Sequence, residues 1–540
     1  MNILGITHPI SWNNAACLIK DGELVAMAEE ERHNRVKHAP RMIPERAIEY
    51  CLRTGGLSID QIDHVAVGWD RPLPAALGNL RGQPLVYGVN FGSAVLAGLW
   101  LHTRRIKPKE LASRLVFVRH HVAHAASAFH VSGFEDANII CLDGSGGSES
   151  GILGYGKGNS IEIFRTVSNA ASWGHLYSEV TGVLGFRRHS AEGKVMGLAA
   201  YAEPDPDGFP FIDWDKDVPE IDYWAKRRYL SRLKRRRKDD PIEDEHKRLA
   251  ATLQHSLERA GLRMVEFLYK KTGSRNLCLA GGVALNCSMN GKLLRSPYVD
   301  DIFIQPAAHD AGTALGAAVE VLIRTTGQRL KTPFTHAYWG PGFENAEIEA
   351  ALRAAGVQYE RCDDIGARVA RLLADGKIVG WFQGRMEVGP RALGNRSILA
   401  NPSIPEMKDI VNRRVKHREP WRPFAPSILE ESIDEVVEDA HASPFMILAF
   451  QARKEIRERI VSAIHVDDSC RPQTVSRETN PRYWDVIKKF KDLTGIPAVL
   501  NTSFNDDEEP IVCTPGDAIA TFRRCGMDAL AIGDYLVLKA

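Results

Sequence analysis

The 540-residue sequence lacks any apolar run of the roughly 18–20 residues that span a bilayer. It also lacks an excess of charge of one sign, because 69 Lys and Arg face 68 Asp and Glu, for a net charge of +1. The first residues show no basic stretch followed by an apolar one, so no signal peptide is predicted. We therefore expect a cytoplasmic protein with neither a membrane nor a nucleic acid as its partner.

Paired cysteines are absent as well. The nine cysteines stand singly and form no C-x-x-C pair. We expect reduced, mostly buried thiols and neither disulfides nor zinc fingers. The hydrophobic fraction of 44% and the charged fraction of 25% are typical of a globular protein.

What the sequence does contain is an alternation of short apolar strands and helical stretches, which predicts the α/β class. Residues 2–8 predict a strand, and residues 15–28 predict a hairpin that turns at Asp21-Gly22. Asn276 to Ala280 predicts another buried strand, and residues 248–271 predict an amphipathic helix.

The length predicts more than one domain. We place a first domain at residues 1–330 and a second at residues 345–540. Residues 203–246 interrupt the first domain with a basic run between acidic stretches. We interpret this segment as a surface insertion, and a nucleic-acid-binding arm is the alternative.

Two histidines and two aspartates are candidate metal ligands. His120 and His124 are spaced to share one face of a helix, whereas His121 points elsewhere. Asp143 and Asp310 each follow a predicted strand, at the edge where open α/β sheets bind ligands. Imidazole and carboxylate together suit Fe(II), Mn(II) or Zn(II), with Mg(II) as a further alternative. An isolated H-x-x-x-H would more simply be a helix with surface histidines.

Glycine-rich turns lie beside these residues in the sequence. Glycine lets backbone N–H groups approach phosphate oxygens closely, and a following helix adds a favourable dipole. Taken with the metal candidates, the turns predict a metal–nucleotide site. The glycines concerned are Gly144, Gly146, Gly281, Gly282 and Gly312.

Basic residues in the second half occur in segments that contain proline. Lys416 and Arg422 are six residues apart among prolines and aromatic residues. Arginine presents a planar fork to phosphate or carboxylate and lysine a point charge, so this spacing favours an anion pocket. The alternative is a set of surface ion pairs, which contribute little to stability.

Several motifs resemble a known family. They are His120-x-x-x-His124, Asp143-Gly-Ser-Gly, Gly281-Gly282-Val283-Ala284-Leu285-Asn286 and His309-Asp310-Ala311-Gly312. These look like the actin/sugar-kinase/Hsp70-type fold of tRNA threonylcarbamoyl transferases. The segment Gly193 to Tyr201 narrows the resemblance to the NodU/CmcH O-carbamoyltransferases. The resemblance implies a duplicated RNase H-like domain followed by a YrdC-like α/β domain.

The resemblance also implies an activity and roles for residues. The second domain would use ATP and carbamoyl phosphate to make carbamoyl adenylate. The first would transfer the carbamoyl group to a small-molecule alcohol, as in natural product or antibiotic biosynthesis. His120, His124, Asp143 and Asp310 would hold the metal, and a homodimer is left open. The family's basic pocket is matched by Arg391, Lys416, Arg422 and Arg471. Its Ser-Phe-Asn segment is matched by Ser503 and Asn505, and its nucleotide-binding turn is matched by Asn286.

One position departs from the family pattern. Members usually carry a His-Asp or His-Asn pair whose histidine is a general base, and this chain has Trp12-Asn13 there. His8 is a candidate replacement, and a strand-end histidine satisfied by hydrogen bonds is the alternative. A tRNA-modifying enzyme and a nucleotide-binding regulator without catalysis are rival functions. The acceptor is not identified by the sequence.

Overall fold

The computed structural model describes residues 1–9, 11–70 and 113–539 of the chain. They form two compact units. One contains Met1–Gly174, Val265–Leu285 and Tyr298–Phe334, and the other contains His175–Met264, Asn286–Pro297 and Thr335–Ala540. The second unit thus includes residues that precede position 330, and the predicted domain limits stay a prediction.

Strands are described first. In chain order they are β1 (Asn2–Ile6), β2 (Ala15–Lys20), β3 (Glu23–Glu29), β4 (His64–Val67), β5 (Leu115–Phe117), β6 (Asp136–Gly146), β7 (Glu149–Lys157), β8 (Ser160–Ser168), β9 (Ile212–Asp213), β10 (Glu220–Ile221), β11 (Asn276–Ala280), β12 (Asp301–Ile304), β13 (Glu360–Arg361), β14 (Val379–Phe382), β15 (Arg396–Ala400), β16 (Ala425–Leu429), β17 (Phe450–Gln451), β18 (Ser469–Cys470), β19 (Gln473–Val475), β20 (Ala498–Ser503), β21 (Ala529–Ile532) and β22 (Tyr535–Leu538).

Helices connect and cover these strands. In chain order they are α1 (Glu30–Asn34), α2 (Glu45–Gly55), α3 (His120–Phe129), α4 (Trp173–Val183), α5 (Glu192–Leu198), α6 (Tyr223–Arg232), α7 (Asp244–Thr272), α8 (Cys287–Leu294), α9 (Ala311–Thr326), α10 (Asn345–Ala355), α11 (Ile365–Ala374), α12 (Met407–Val411), α13 (Ile433–Val436), α14 (Pro481–Thr494) and α15 (Pro515–Arg524). Within the described ranges, none of them has the length and apolar composition needed to cross a bilayer.

The first unit contains two five-stranded sheets with one and the same topology. The first sheet has the order β3-β2-β1-β4-β5, and the second has the order β8-β7-β6-β11-β12. In each sheet the first three strands in sequence pair antiparallel, and the last two run parallel to the first strand. The α/β class and the duplicated domain are therefore confirmed.

Local details of this unit follow the sequence closely. Asp21 and Gly22 join β2 to β3 with φ values of 52° and 81°, as a tight hairpin turn requires. The predicted strand at Asn276 to Ala280 is β11, and the predicted helix at residues 248–271 lies within α7. Among the described residues all nine cysteines are free, and eight of them are buried, so the predicted thiols are confirmed.

The second unit is built on a mixed eight-stranded sheet. Its order is β13-β22-β21-β14-β15-β20-β16-β19, with β14/β21 and β16/β19 as the parallel pairs. Apolar side chains of this sheet, such as Phe382 and Leu500, pack with Leu352 of α10 and Phe522 of α15. Helices α11 and α14 pack against each other.

The predicted insertion forms β9, β10 and α6 and belongs to the second unit. Most of its basic side chains are exposed, as a surface segment predicts. Lys226 and Arg236 differ, because both are buried. Lys226 lies 3.0 Å from the carboxylate of Glu179, and Arg236 donates a 2.7 Å hydrogen bond to the carbonyl of Leu184. These two residues anchor the segment, so it is not solvated throughout.

Candidate active site

Four elements of the first unit bring the predicted metal ligands together. Helix α3 begins at His120, so His120 and His124 lie one turn apart on the same face. Asp143 lies in β6 after a buried stretch, and Asp310 follows β12 and precedes α9. Strands β6 and β12 run parallel to the strand between them, β11, so both aspartates lie at the same edge of the sheet.

The four side chains meet closely. The Nε2 atom of His124 lies 3.2 Å from Nε2 of His120, 3.6 Å from Oδ2 of Asp143 and 3.7 Å from Oδ1 of Asp310. One nitrogen or oxygen from each residue lies within 4.8 Å of all the others. Both histidines are fully buried and both aspartates are half-buried. Such a set of nitrogen and oxygen atoms can hold a single ion with a side open to a ligand.

Backbone groups hold a further polar atom of His120, Asp143 and Asp310, whereas Nδ1 of His124 is buried without a hydrogen-bond partner among the described residues. Oδ1 of Asp143 accepts a hydrogen bond of 3.2 Å from the N–H of Gly282, and Oδ2 of Asp310 accepts one of 3.3 Å from the N–H of Trp12. Nδ1 of His120 lies 3.2 Å from the carbonyl oxygen of Gly68. If Nδ1 carries the proton, it donates to that carbonyl, and the lone pair of Nε2 points into the cluster. Contacts of this kind orient metal ligands.

The charges of the cluster favour a cation. Burial opposes a positive charge on His124, but the carboxylates of Asp143 and Asp310 outweigh it and raise its pKa to about 9. The pKa of Asp143 is held well below its usual range, because the contacts with both histidines outweigh the opposing effect of burial. A divalent ion would satisfy the same carboxylates without a proton on imidazole, so the residues present fit the predicted metal.

His121 takes no part in this cluster, as the sequence predicted. Its Nδ1 lies 3.4 Å from Oε1 of Glu149, and burial lowers its pKa to about 4. The glycines of the turns allow close packing around the cluster. A Cβ on Gly146 would lie 2.0 Å from the His120 ring, and Gly281 has a φ of 83° with Leu142 against it. Their predicted role in phosphate binding stays a prediction, together with that of Gly144, Gly282 and Gly312.

His8, the predicted replacement base, lies in the wall of this site. It is buried and stacks on Trp69 with 5.5 Å between ring centroids, and Trp69 in turn meets the edge of the His120 ring at 4.6 Å. Burial, and then the nearby His120, lower the pKa of His8 to about 4. It is therefore uncharged at neutral pH and a weak base.

A second set of predicted residues meets in the second unit. The ammonium group of Lys416 is buried and lies within hydrogen-bonding distance of four oxygens at the end of β20 and just after it. These are the carbonyl and Oγ of Ser503, at 2.9 and 3.2 Å, and the carbonyl and Oδ1 of Asn505, at 2.8 and 2.7 Å. Burial, followed by the charges of Arg418 and Arg422, lowers the pKa of Lys416 well below its usual value.

Arginines surround this lysine with too few acids to neutralise them. Arg422 contacts Asp507 at 3.4 Å and Glu419 at 3.6 Å. Burial, and then the charge of Arg471, lower the pKa of Arg391 to about 9. The Nε atom of Arg391 is buried without a hydrogen-bond partner among the described residues. The charges of these arginines lower one another's pKa, so together with Lys416 they form a cluster of cations suited to an anion.

Sequence reasoning missed two residues of this pocket. Burial lowers the pKa of Arg418 well below its usual value, and the charge of Arg422 adds to the effect. Glu387 is buried, and its Oε1 accepts hydrogen bonds from the N–H groups of Leu393, Asn395 and Arg396 at 2.6, 3.3 and 3.2 Å. Glu387 thereby shapes the loop that carries Arg391. A lone glutamate before Gly-Pro-Arg is a weak sequence signal.

Asn286 also has contacts that the sequence did not predict. It caps α8 by accepting a 2.9 Å hydrogen bond from the N–H of Met289, and it exchanges hydrogen bonds of 2.9 and 2.8 Å with Gln254. It belongs to the second unit, whereas Gly281 and Gly282 belong to the first. Its predicted part in nucleotide binding stays a prediction.

The fold and the two sites define a class of protein. Its members have a duplicated α/β fold with a buried histidine–aspartate cluster and a further unit with a basic pocket. Comparison of the sequence with family models gives a match to "Carbamoyltransferase N-terminus" over residues 82–319 and to "Carbamoyltransferase C-terminus" over residues 370–539. The chain belongs to this carbamoyltransferase family and is an enzyme of that class. The family resemblance and the predicted enzyme class are thus confirmed.

Individual relatives agree with this assignment. Nodulation protein NolNO of Sinorhizobium fredii is 41% identical to this chain over 100% of the chain and 80% of the relative. Nodulation protein NolO of Bradyrhizobium diazoefficiens is 43% identical over 78% of the chain and 79% of the relative. The uncharacterized protein sll1178 of Synechocystis is 37% identical over 100% of the chain and 97% of the relative.

Proposed function

We propose that this carbamoyltransferase consumes ATP and carbamoyl phosphate and carbamoylates the hydroxyl group of a small molecule. Carbamoyl phosphate and water give carbamate and phosphate. In the pocket around Arg391, Lys416 and Arg422 a carbamate oxygen then attacks the α-phosphorus of ATP, which forms carbamoyl adenylate and releases pyrophosphate. The cluster of His120, His124, Asp143 and Asp310 is the place of transfer. The observation that carries the proposal is the group of mutually repelling cations in the second unit, in which Lys416 is buried and the arginines are half-buried, since such a group needs an anionic ligand to offset its charge.

The contacts of the pocket support the proposed activation step. Lys416 ties the Ser503 and Asn505 segment to the pocket, and Arg391 presents a half-buried guanidinium whose buried Nε–H has no hydrogen-bond partner among the described residues. Guanidinium groups bind phosphate and carboxylate oxygens through paired hydrogen bonds. Positive groups fixed around a triphosphate stabilise the charge that develops on the α-phosphate and on the departing pyrophosphate. The fixed positive charges of the pocket thus complement the negative charges of a phosphate-rich substrate.

The donor set in the first unit supports the proposed transfer step. His120 and His124 offer imidazole nitrogens, and Asp143 and Asp310 each offer the carboxylate oxygen that the backbone does not hold. A divalent metal, Fe(II) by our proposal, would act as a Lewis acid and orient phosphate oxygens when bound. The protein's own part is to keep Nε2 of His120 oriented through the Gly68 carbonyl and to exclude water by burial.

Exchange of labelled pyrophosphate into ATP tests the proposal, because it reports adenylate formation alone. With purified full-length protein we expect exchange that depends on carbamoyl phosphate. A panel of hydroxylated metabolites with labelled carbamoyl phosphate then identifies the acceptor. Exchange that is absent, or that is independent of carbamoyl phosphate, would refute the activation step.

A further inference from the structure

The carbonyl group of Leu393, two residues after Arg391, is held by two side chains from distant segments. It accepts hydrogen bonds of 2.8 Å from the hydroxyl of Tyr338 and of 2.8 Å from Nε2 of Gln473. Leu393 and Gln473 are buried, and the N–H of Leu393 donates to Glu387. Side chains therefore fix both peptide groups that flank Leu393, and buried backbone groups of this kind require such partners.

Buried polar side chains extend this hold to the strand that carries Ser503. Oε1 of Gln473 accepts hydrogen bonds from Oγ of Ser427 at 2.8 Å and from Nδ2 of Asn501 at 3.2 Å. Nδ2 of Asn501 also donates to the carbonyl of Ala392 at 3.1 Å. Ser427, Gln473 and Asn501 are all buried. Hydrogen bonds between buried polar groups are strong in a medium of low dielectric constant, so they fix the loop to these strands.

This network lies next to residues of the basic pocket. Asn501 and the pocket residue Ser503 are two positions apart in β20, so their side chains share one face of the strand. Gln473 begins β19 and comes two positions after Arg471. The segments that carry Arg391, Arg471 and Ser503 are thus joined to one another through Gln473 and Asn501.

The loop that carries Arg391 has a glycine on either side of this residue. Gly389 has a φ of 94° and Gly394 a φ of 97°. Glycine has wide conformational freedom, so the backbone between these positions needs outside contacts to adopt a single conformation. A guanidinium group binds an anion more tightly when its planar fork is already oriented, because less conformational entropy is lost on binding. Contacts at Leu393 therefore bear on how well Arg391 binds an anion.

We propose that Tyr338 and Gln473 are positioning residues of the activation step and act through Arg391. This rests on the proposed function, in which Arg391 binds phosphate oxygens of the substrate. Tyr338 and Gln473 hold the carbonyl of Leu393 and so orient the guanidinium group two residues earlier. Asn501 supports Gln473 in this task.

The test measures binding of inorganic pyrophosphate to the full-length protein by calorimetry, beside exchange of pyrophosphate into ATP. Tyr338→Phe removes one hydroxyl and keeps the ring, and Gln473→Met replaces the amide by an apolar group of similar size. Both changes are also made together with Arg391→Met. Tyr359→Phe is the matched control, because its hydroxyl donates to Glu349 at 2.9 Å beside β13, at the opposite edge of the sheet from β19.

We expect pyrophosphate affinity to fall about five-fold in Tyr338→Phe and about ten-fold in Gln473→Met, the scale of one or more lost hydrogen bonds. Exchange should fall by at least the same factors. In the presence of Arg391→Met neither change should lower affinity further, because residues that act through one group are not additive. Tyr359→Phe should bind and exchange as wild type does.

Wild-type affinity and exchange in both folded variants would overturn the proposal, and so would losses that add in full to that of Arg391→Met. Tyr338→Phe decides the outcome if Gln473→Met does not fold. Affinity that depends on Tyr338 and Gln473 as expected, in a protein without carbamoyl-phosphate-dependent exchange, would support the positioning role and refute the proposed function.

Discussion

The ammonium group of Lys194 donates a hydrogen bond of 2.8 Å to the carboxylate of Glu419, two residues before Trp421 and three before Arg422. The hydroxyl of Tyr201 donates to the carbonyl of Trp421 at 3.3 Å. The segment Gly193 to Tyr201, which the family resemblance singled out, therefore holds the loop of the basic pocket. All these residues belong to the second unit.

Lys194→Ala should weaken activation without abolishing it. Glu419 would then contact Arg422 alone, and the guanidinium would be drawn away from the substrate. A half-exposed ion pair contributes roughly 1 kcal/mol, which corresponds to about a five-fold loss in kcat/KM for carbamoyl phosphate. Pyrophosphate exchange measures this effect, and Lys194→Arg should recover most of it. A loss of protein stability with kcat/KM unchanged would mean that the pair is only structural.

Arg422→Met should impair adenylate formation more strongly. It removes a charge-assisted hydrogen bond to an anionic group, worth about 1.5–3 kcal/mol, so exchange should fall about ten-fold or more. Arg237→Met, an exposed arginine of the insertion, is the matched control and should exchange normally. Undiminished exchange in Arg422→Met would remove this residue from the pocket's chemistry. Lys416→Ala should in addition loosen the Ser503 segment that the lysine holds.

Metal content should distinguish three neighbouring histidines. After reconstitution with Fe(II), His120→Ala and His124→Ala should lose the ion, because each removes a nitrogen of the cluster. His121→Ala should keep it, since that ring faces Glu149. Elemental analysis of folded protein measures the outcome, and circular dichroism checks the fold. Metal lost from His121→Ala but retained by His120→Ala would contradict the assigned ligands.

Glu30 should make stability depend on pH. Its carboxyl is buried, which raises its pKa from 4.5 to about 7. Between these values the folded state binds more protons than the unfolded state, so the free energy of unfolding falls as pH rises, by about 3 kcal/mol in all. Glu30→Gln should remove this fall, as judged by urea unfolding at pH 5 and pH 8. The exposed Glu45→Gln is the control, and an equal pH dependence in Glu30→Gln and wild type would contradict the prediction.

Local sequence signals predicted the parts of this protein that depend on periodicity and turn chemistry. The Asp21-Gly22 hairpin, the helical register that separates His121 from His120 and His124, and the strand before Asp310 are of this kind, whereas Asp143 lies inside β6 and not after its end as the sequence predicted. Each is encoded within a few residues of the chain. Recognising the family added the duplicated fold, which no single segment specifies.

The sequence could not predict contacts between distant segments. The N–H of Trp12 donates a hydrogen bond to Asp310, which is 298 positions away in the sequence. The backbone makes this contact, so the identity of the side chain at position 12 does not reveal it. Asn13 and His38 meet only because two loops with positive φ approach each other. The sequence placed Lys226 in a solvated basic run, but this residue is buried. Its hydrocarbon chain is compatible with burial, and the carboxylate of Glu179 offsets the charge of its ammonium group.

The central claim is that activation and transfer take place at separate sites, and Asp310→Asn tests it most directly. This change keeps the size of the side chain and removes one negative charge from the cluster. The measurement is carbamoyl-phosphate-dependent pyrophosphate exchange beside carbamoyl transfer in the same preparation. We predict exchange at the wild-type rate with transfer lowered by about 100-fold or more, the scale of losing one preorganised group. Loss of exchange in parallel with transfer, in a variant that folds normally, would contradict two separate sites.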